Sequence, residues 1–294
     1  MANNTSDAVV ASGPERRMAH VIHYNLSYVV QGAEHGTDGA IVLLHDILAG
    51  AFAWSEVMPL LASTGRAVYA IDMLGYGQSE HPWPADTSNW GHADTLSMLF
   101  EQLNLTSIVL VGHGLGGGVA QVLATRLSRE RVAALVLIDT NCFEHSFAPD
   151  WPLSEMKKRQ DPDASKQMKV EDVIADLKET LPRGSHNPQR FQSSMSDYID
   201  LWDSELGKEV LYQHIRLLIP SYTNSVASDL KVLGKPVLII WGWDDQQNPL
   251  KFAERLHRDI PESELVTVPD AGHLILFDAP QTVARTIVDF VGNL

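Results

Sequence analysis

Six short, continuous apolar runs recur along the chain, at Ile41–Leu44, Ala67–Ile71, Ser107–Val111, Ala133–Ile138, Pro236–Trp241 and Glu264–Val268. Unbroken rather than alternating hydrophobicity marks strands covered on both faces, the habit of parallel sheets. Amphipathic stretches at Phe52–Ala62, Asp94–Leu103, Leu115–Leu127, Pro249–Arg258 and Pro280–Val291 separate most of them. The last two open on proline, whose missing N–H is harmless in a first helical turn. This alternation predicts an α/β fold, with a mostly parallel central sheet and helices on both faces. One segment differs. Ala19–Gly32 alternates through Val21, His23, Asn25, Ser27 and Val29, which predicts a single antiparallel edge strand, with a turn at Glu34–Gly39. Residues 1–17 read as a loose tail, residues 18–140 and 231–294 as the core. Residues 141–230 carry helical but no buried-strand patterning and are expected to form an inserted helical cap.

Charge narrows the partners. Lys and Arg number 22 against 37 Asp and Glu, a formal net charge of −15. Such a chain repels phosphate backbones and anionic lipid, so neither nucleic acid nor a membrane surface is an expected partner; a small molecule is. The single cysteine, Cys142, excludes an intrachain disulfide and a cysteine-based zinc site. The twelve histidines are scattered with no His-Glu-x-x-His spacing, so no metal is expected. The first residues are polar and lack the apolar stretch of a secretory leader, and no apolar run reaches the roughly 18–20 residues of a membrane span. A cytoplasmic location is the expectation.

The chemically informative segment is SIVLVGHGLGGGVAQVLATRL, Ser107–Leu127, an apolar strand entering glycines and then a helix. Two readings compete. Gly112, Gly114 and Gly117 match the dinucleotide-binding spacing G-x-G-x-x-G, and Asp139 lies near the distance at which a carboxylate meets ribose hydroxyls, which would make this an NAD(P)-binding turn. Alternatively, Gly112-His113-Gly114-Leu115-Gly116 has the frame of a nucleophile elbow, G-x-S-x-G, with glycine where the nucleophile belongs.

Other segments favour the elbow. The dinucleotide motif usually opens its domain, whereas three strands are expected before this one. VLLHDILAGAFAW (Val42–Trp54) resembles a strand with the oxyanion turn of the α/β-hydrolase superfamily, and AIDMLGYGQSE (Ala70–Glu80) resembles its D-x-x-G-x-G-x-S turn. WGWDDQQNP (Trp241–Pro249) resembles its acid loop and VPDAGHLILFDAP (Val268–Pro280) its terminal histidine loop. The resemblance, to the branch holding esterases, epoxide hydrolases and haloalkane dehalogenases, covers nearly the whole chain from Ala19. It implies an α/β-hydrolase fold with a cap and no cofactor. It also implies Asp245 as the acid, His273 as the base, Gly114 as a vacant nucleophile position, and the backbone N–H groups of Leu115 and Ile47 as oxyanion donors. Asp139 is the reserve acid.

This sequence departs from the family pattern twice. Gly114 cannot attack carbon, so a covalent acyl-enzyme is expected to be absent. The family's His-Gly is His45-Asp46 here, and a carboxylate beside a developing oxyanion would repel it unless it faces away. His45, Asp46, His113, Trp151 and Trp202 are pocket candidates. Three functions stay open. His273 and Asp245 could act as a dyad without a covalent nucleophile, in a hydrolase-type enzyme on a small apolar substrate. The chain could be an ordinary esterase inactivated at position 114. It could also bind a small ligand without turnover.

Overall fold

The computed structural model describes residues 13–32, 34, 36–127, 131–143 and 162–294. One eight-stranded sheet organises them, in the order β1-β2-β4-β3-β5-β6-β7-β8. Its strands are β1 (Glu15–Val21), β2 (Tyr24–Gln31), β3 (Ile41–Leu44), β4 (Val68–Ile71), β5 (Ile108–His113), β6 (Val132–Ile138), β7 (Val237–Gly242) and β8 (Glu264–Val268). From β4 to β8 every pairing is parallel, whereas β1–β2 and β2–β4 are antiparallel. β3, β4, β5 and β7 are buried at every position, as their unbroken apolar runs require.

Three expectations are corrected. The alternating segment from Ala19 is a hairpin and not one strand. The chain reverses at Ile22–His23, where Ile22 takes φ 59°, and Val21 pairs with Tyr24. A β-branched residue seldom adopts that conformation and no glycine or asparagine marks the turn, so the pattern ran through it unseen. β1 also claims Glu15–Arg17 from the expected tail, and Arg16 reaches Asp72 in an ion pair. Finally, Phe52–Ala62 is a 3-10 turn at Ala51–Trp54 followed by a separate helix α1 (Met58–Ala62), because Pro59 has no N–H to continue a hydrogen-bonded run.

Helix α2 (Asn89–Gln102) begins earlier than its apolar periodicity indicates, since the Ser88 hydroxyl accepts the Gly91 N–H and caps it. Helix α3 (Leu115–Arg126) lies tight on the sheet: a Cβ on Gly116 would overlap the Leu44 carbonyl. Between β6 and β7 the described residues are helical, including Val170–Thr180, Glu205–Leu217 and Ser221–Leu230. This insert is fastened over the chain segment after β8. Leu274 N–H donates to Gly184 O at 2.8 Å, and the Asp278 carboxylate accepts from His186 N–H and Ser185 Oγ–H. No helix among the described residues is long and apolar enough to cross a membrane.

Candidate active site

In an open parallel sheet, chemistry gathers beyond the carboxyl ends of the strands. Asp46 follows β3, Gly114 follows β5, Asp139 follows β6, Asp245 follows β7 and His273 follows β8. The structure gathers these residues at one end of the sheet, with Asp139 within 4.8 Å of His273 and Asp245. His273 donates from Nδ1 to Asp245 Oδ2 at 2.8 Å. Its other nitrogen, Nε2, lies 3.0 Å from Asp46 Oδ2. Asp46 Oδ1 accepts the Leu115 N–H at 2.6 Å. Gly114, at φ 52° and ψ −115°, forms the sharp corner between β5 and α3, and a Cβ built on it would overlap the Asp46 carboxylate.

Local hydrogen bonds fix each member. Asp245 Oδ1 accepts the N–H groups of Gln247 and Asn248, both at 2.8 Å, so its loop curls around the carboxylate. His45 donates from Nδ1 to Asp46 O at 2.7 Å and accepts Met73 N–H on Nε2 at 3.0 Å. It thereby braces the Asp46 loop as a neutral tautomer, and burial lowers its pKa in agreement. His113 donates from Nε2 to His273 O at 2.8 Å. Burial pushes His113 down to about 4, so it too is neutral at physiological pH.

Electrostatics follow from this geometry. Both nitrogens of His273 face carboxylate oxygens, and both must therefore carry protons. Burial alone would lower its pKa, but the charges and hydrogen bonds of Asp245 and Asp46 hold it well above the ordinary value. Burial would raise Asp46, yet His273, His113 and the Leu115 N–H together hold it below the usual carboxylate range. The resting site is an imidazolium between two carboxylates.

Several expectations change. The Leu115 N–H is not an open oxyanion donor, because Asp46 Oδ1 already occupies it; Asp46 faces into the site and not away from it. The Ile47 N–H has no acceptor among the described residues. Asp139 does not hydrogen-bond His273 in this state, although one of its carboxylate oxygens lies within 4.8 Å of His273 and Asp245. Its Oδ1 accepts Gly242 N–H at 2.8 Å and its Oδ2 is buried without a partner. Burial, together with the nearby Asp245 charge, raises its pKa well above normal. So buried a carboxyl cannot meet a ribose either, and with the Leu115 N–H occupied the dinucleotide reading loses both anchors. Trp202 is fully buried against Tyr76 and His214 and does not line the recess. His45 is likewise a brace and not a lining residue. Trp151 lies outside the described residues.

Beside the carboxylates opens a narrow apolar recess. Asp46, Ile47, His113, Tyr198, His273 and Phe277 are among its walls, with Leu181 and Gly184 from the insert. As it stands its free interior takes a water-sized species, so a larger substrate enters only when lining side chains such as Leu181 and Phe277 move apart. Phe277, Leu276 and Leu274 were not singled out from sequence, though all three sit in the histidine loop. Asp46, His113 and His273 form one group of possible metal ligands within 4.8 Å; Asp139, Asp245 and His273 form another. His273 is already engaged on both nitrogens in either group.

Comparison with known proteins identifies the fold. Residues 39–280 match the family model for the alpha/beta hydrolase fold. The uncharacterized hydrolase YugF of Bacillus subtilis is 25% identical over 257 residues, covering 85% of this chain and 89% of its own. Monoacylglycerol lipase ABHD6 of Rattus norvegicus is 24% identical over 287 residues, covering 96% and 83%. The crystal structure of an alpha/beta hydrolase fold protein from Burkholderia ambifaria superposes with a TM-score of 0.80 at 22% identity, covering 94% of this chain and 100% of that one. With its sheet order, its sharp turn after β5 and its acid–histidine pair after β7 and β8, this chain belongs to the α/β-hydrolase family.

Proposed function

We infer that the protein is a hydrolase-type enzyme acting on a small, largely apolar substrate, with His273 moving protons, Asp245 orienting it, and no nucleophile on the elbow residue. The observation that carries this is the buried His273 imidazole, held by Asp245 through Nδ1, with Nε2 on the Asp46 carboxylate at the wall of the apolar recess. An acid–base group so oriented is worth ~10²–10⁴ in rate. The tight fit of Asp46 over Gly114 speaks against a simple esterase that lost its serine, because restoring a side chain at 114 would produce a clash. Retention of both the acid and the histidine speaks against a protein that only binds.

The test is turnover of small apolar substrates, p-nitrophenyl butyrate, a γ-lactone and 1,2-epoxybutane, by the wild type and His273→Ala. A fall of about 10²–10⁴ in kcat on any one of them is expected. Equal rates on every substrate would refute the inference.

A further inference from the structure

We propose that Asp46 is the covalent nucleophile of this site, delivered from the loop after β3 in place of a side chain at position 114, and that it attacks an sp3 carbon bearing a leaving group, as in an epoxide or a haloalkane. The proposal rests on the acid–base reading of His273 and Asp245 above.

Three observations support it. The Asp46 carboxylate fills the volume that a side chain on Gly114 would need. It holds the two contacts a reacting group there requires: the Leu115 N–H at the start of α3 on Oδ1, and His273 Nε2 on Oδ2. It also lines the apolar recess. Relative to the family pattern, glycine and the reacting residue have exchanged places between two loops that face each other.

The substrate class follows from where the Leu115 N–H points. Attack on an ester would leave the substrate's oxyanion without that donor, since Asp46 already holds it, and would produce an anhydride. Attack on an sp3 carbon avoids both problems. A lone pair on Oδ2 forms the new C–O bond while the bond to the leaving group breaks and its pair departs with that group. An epoxide oxygen takes the proton from His273 Nε2; a halide leaves as the anion, and His273 passes its proton to solvent. The product is an ester of Asp46 whose remaining oxygen, Oδ1, still sits on the Leu115 N–H.

Esterification removes one of the two negative charges that keep His273 protonated, so His273 becomes a base when one is needed. It takes a proton from water as the water oxygen adds to the Asp46 carboxyl carbon. The oxyanion then forms on Oδ1, against the Leu115 N–H. Collapse breaks the bond to the alcohol, which receives the proton back through His273, and the second proton of the added water then passes from the Asp46 carboxyl to His273 Nε2. Asp46 is again a carboxylate. The net reaction adds water to an epoxide, or exchanges halide for hydroxide with release of a proton.

The experiment is a single turnover in ¹⁸O-labelled water with protein in excess, using 1,2-epoxybutane in one arm and 1-bromobutane in the other. In the arm that matches the true substrate, the first alcohol or diol should carry no label, and the label should appear in Asp46. With 1-bromobutane, His273→Gln should stop at the ester, seen as a mass increase of one butyl group on the peptide containing Asp46; with the epoxide, whose oxygen needs the His273 proton, it should form little or no ester. Asp46→Asn, which keeps the shape, should show no adduct and a loss of at least about 10³-fold in kcat. Label in the first product without any adduct would overturn the proposal and leave His273 as a base for water. Ester hydrolysis that depends on His273, with neither electrophile consumed, would overturn it too while sparing the acid–base reading. If neither esters nor electrophiles react in a His273-dependent way, both readings fall.

Discussion

Asp46 and Gly114 exclude each other: the carboxylate of the first stands where any side chain of the second would stand. Gly114→Ser alone is therefore expected to destabilise the fold by about 1–3 kcal/mol through overpacking and to gain no esterase activity. The double variant Asp46→Gly with Gly114→Ser should recover the part lost to overpacking, leaving the strain of a side chain at φ 52°, and free the Leu115 N–H. Denaturant melts and p-nitrophenyl butyrate hydrolysis measure both effects, and a lone serine variant that is stable and active would contradict this packing.

Asp245 fixes which protons His273 carries. Asp245→Asn should leave the fold intact, since the neighbouring N–H groups of Gln247 and Asn248 can still meet the side-chain oxygen. It removes the acceptor for Nδ1–H and should reduce kcat by roughly 10³–10⁴ with little change in KM. A comparable effect on KM instead would mean that the carboxylate serves binding.

The charged row implies a particular dependence of stability on pH. His273 is raised, so its contribution is complete below its unfolded value of about 6.5 and is lost as pH rises through the higher folded value. Asp46 is lowered, so its contribution is present above about 3.9 and is lost as pH falls through the lower folded value. The margin of wild type over His273→Gln should be widest between about pH 4 and 6.5 and shrink on the alkaline side. Thermal melts across this range measure it; a margin that grows above neutrality would contradict the two-carboxylate environment.

Asp139 has the opposite sign. Its folded pKa is raised, so the folded state binds the extra proton and is penalised as pH climbs from about 3.9 towards the folded value. Asp139→Asn removes that penalty. Its stability relative to wild type should therefore improve between pH 5 and pH 8 in paired melts. Constant relative stability would mean that Asp139 titrates normally.

Much of the scaffold could be read in advance because β3, β4, β5 and β7 are buried at every position and the loops after the parallel strands carry distinctive residues. Asp245 and His273 could be named from their loops, and their contact is as expected. The hairpin turn at Ile22 is not legible because no glycine or asparagine occupies it, and the β1–β2 pairing holds this exposed residue in a conformation it disfavours. The early start of α2 was missed because a serine cap and not an apolar stripe sets it. Asp46 is legible as a pocket residue, but its place over Gly114 is not. Its signal was present, an aspartate where the family has glycine and a glycine where the family has a nucleophile. The two substitutions lie 68 residues apart, and only folding reveals that they concern the same few cubic ångströms.

The overlap between positions 46 and 114 also orders the routes through sequence space. A chain with a side chain at both positions is crowded, whereas a chain with glycine at both has room but no reacting group. Any single-step path between this arrangement and one with its reactive group on the elbow therefore crosses either a strained protein or an inert one. The present pair of residues sits in a local basin that one substitution cannot leave with activity intact, so directed evolution towards an elbow serine should succeed only from libraries that vary both sites together.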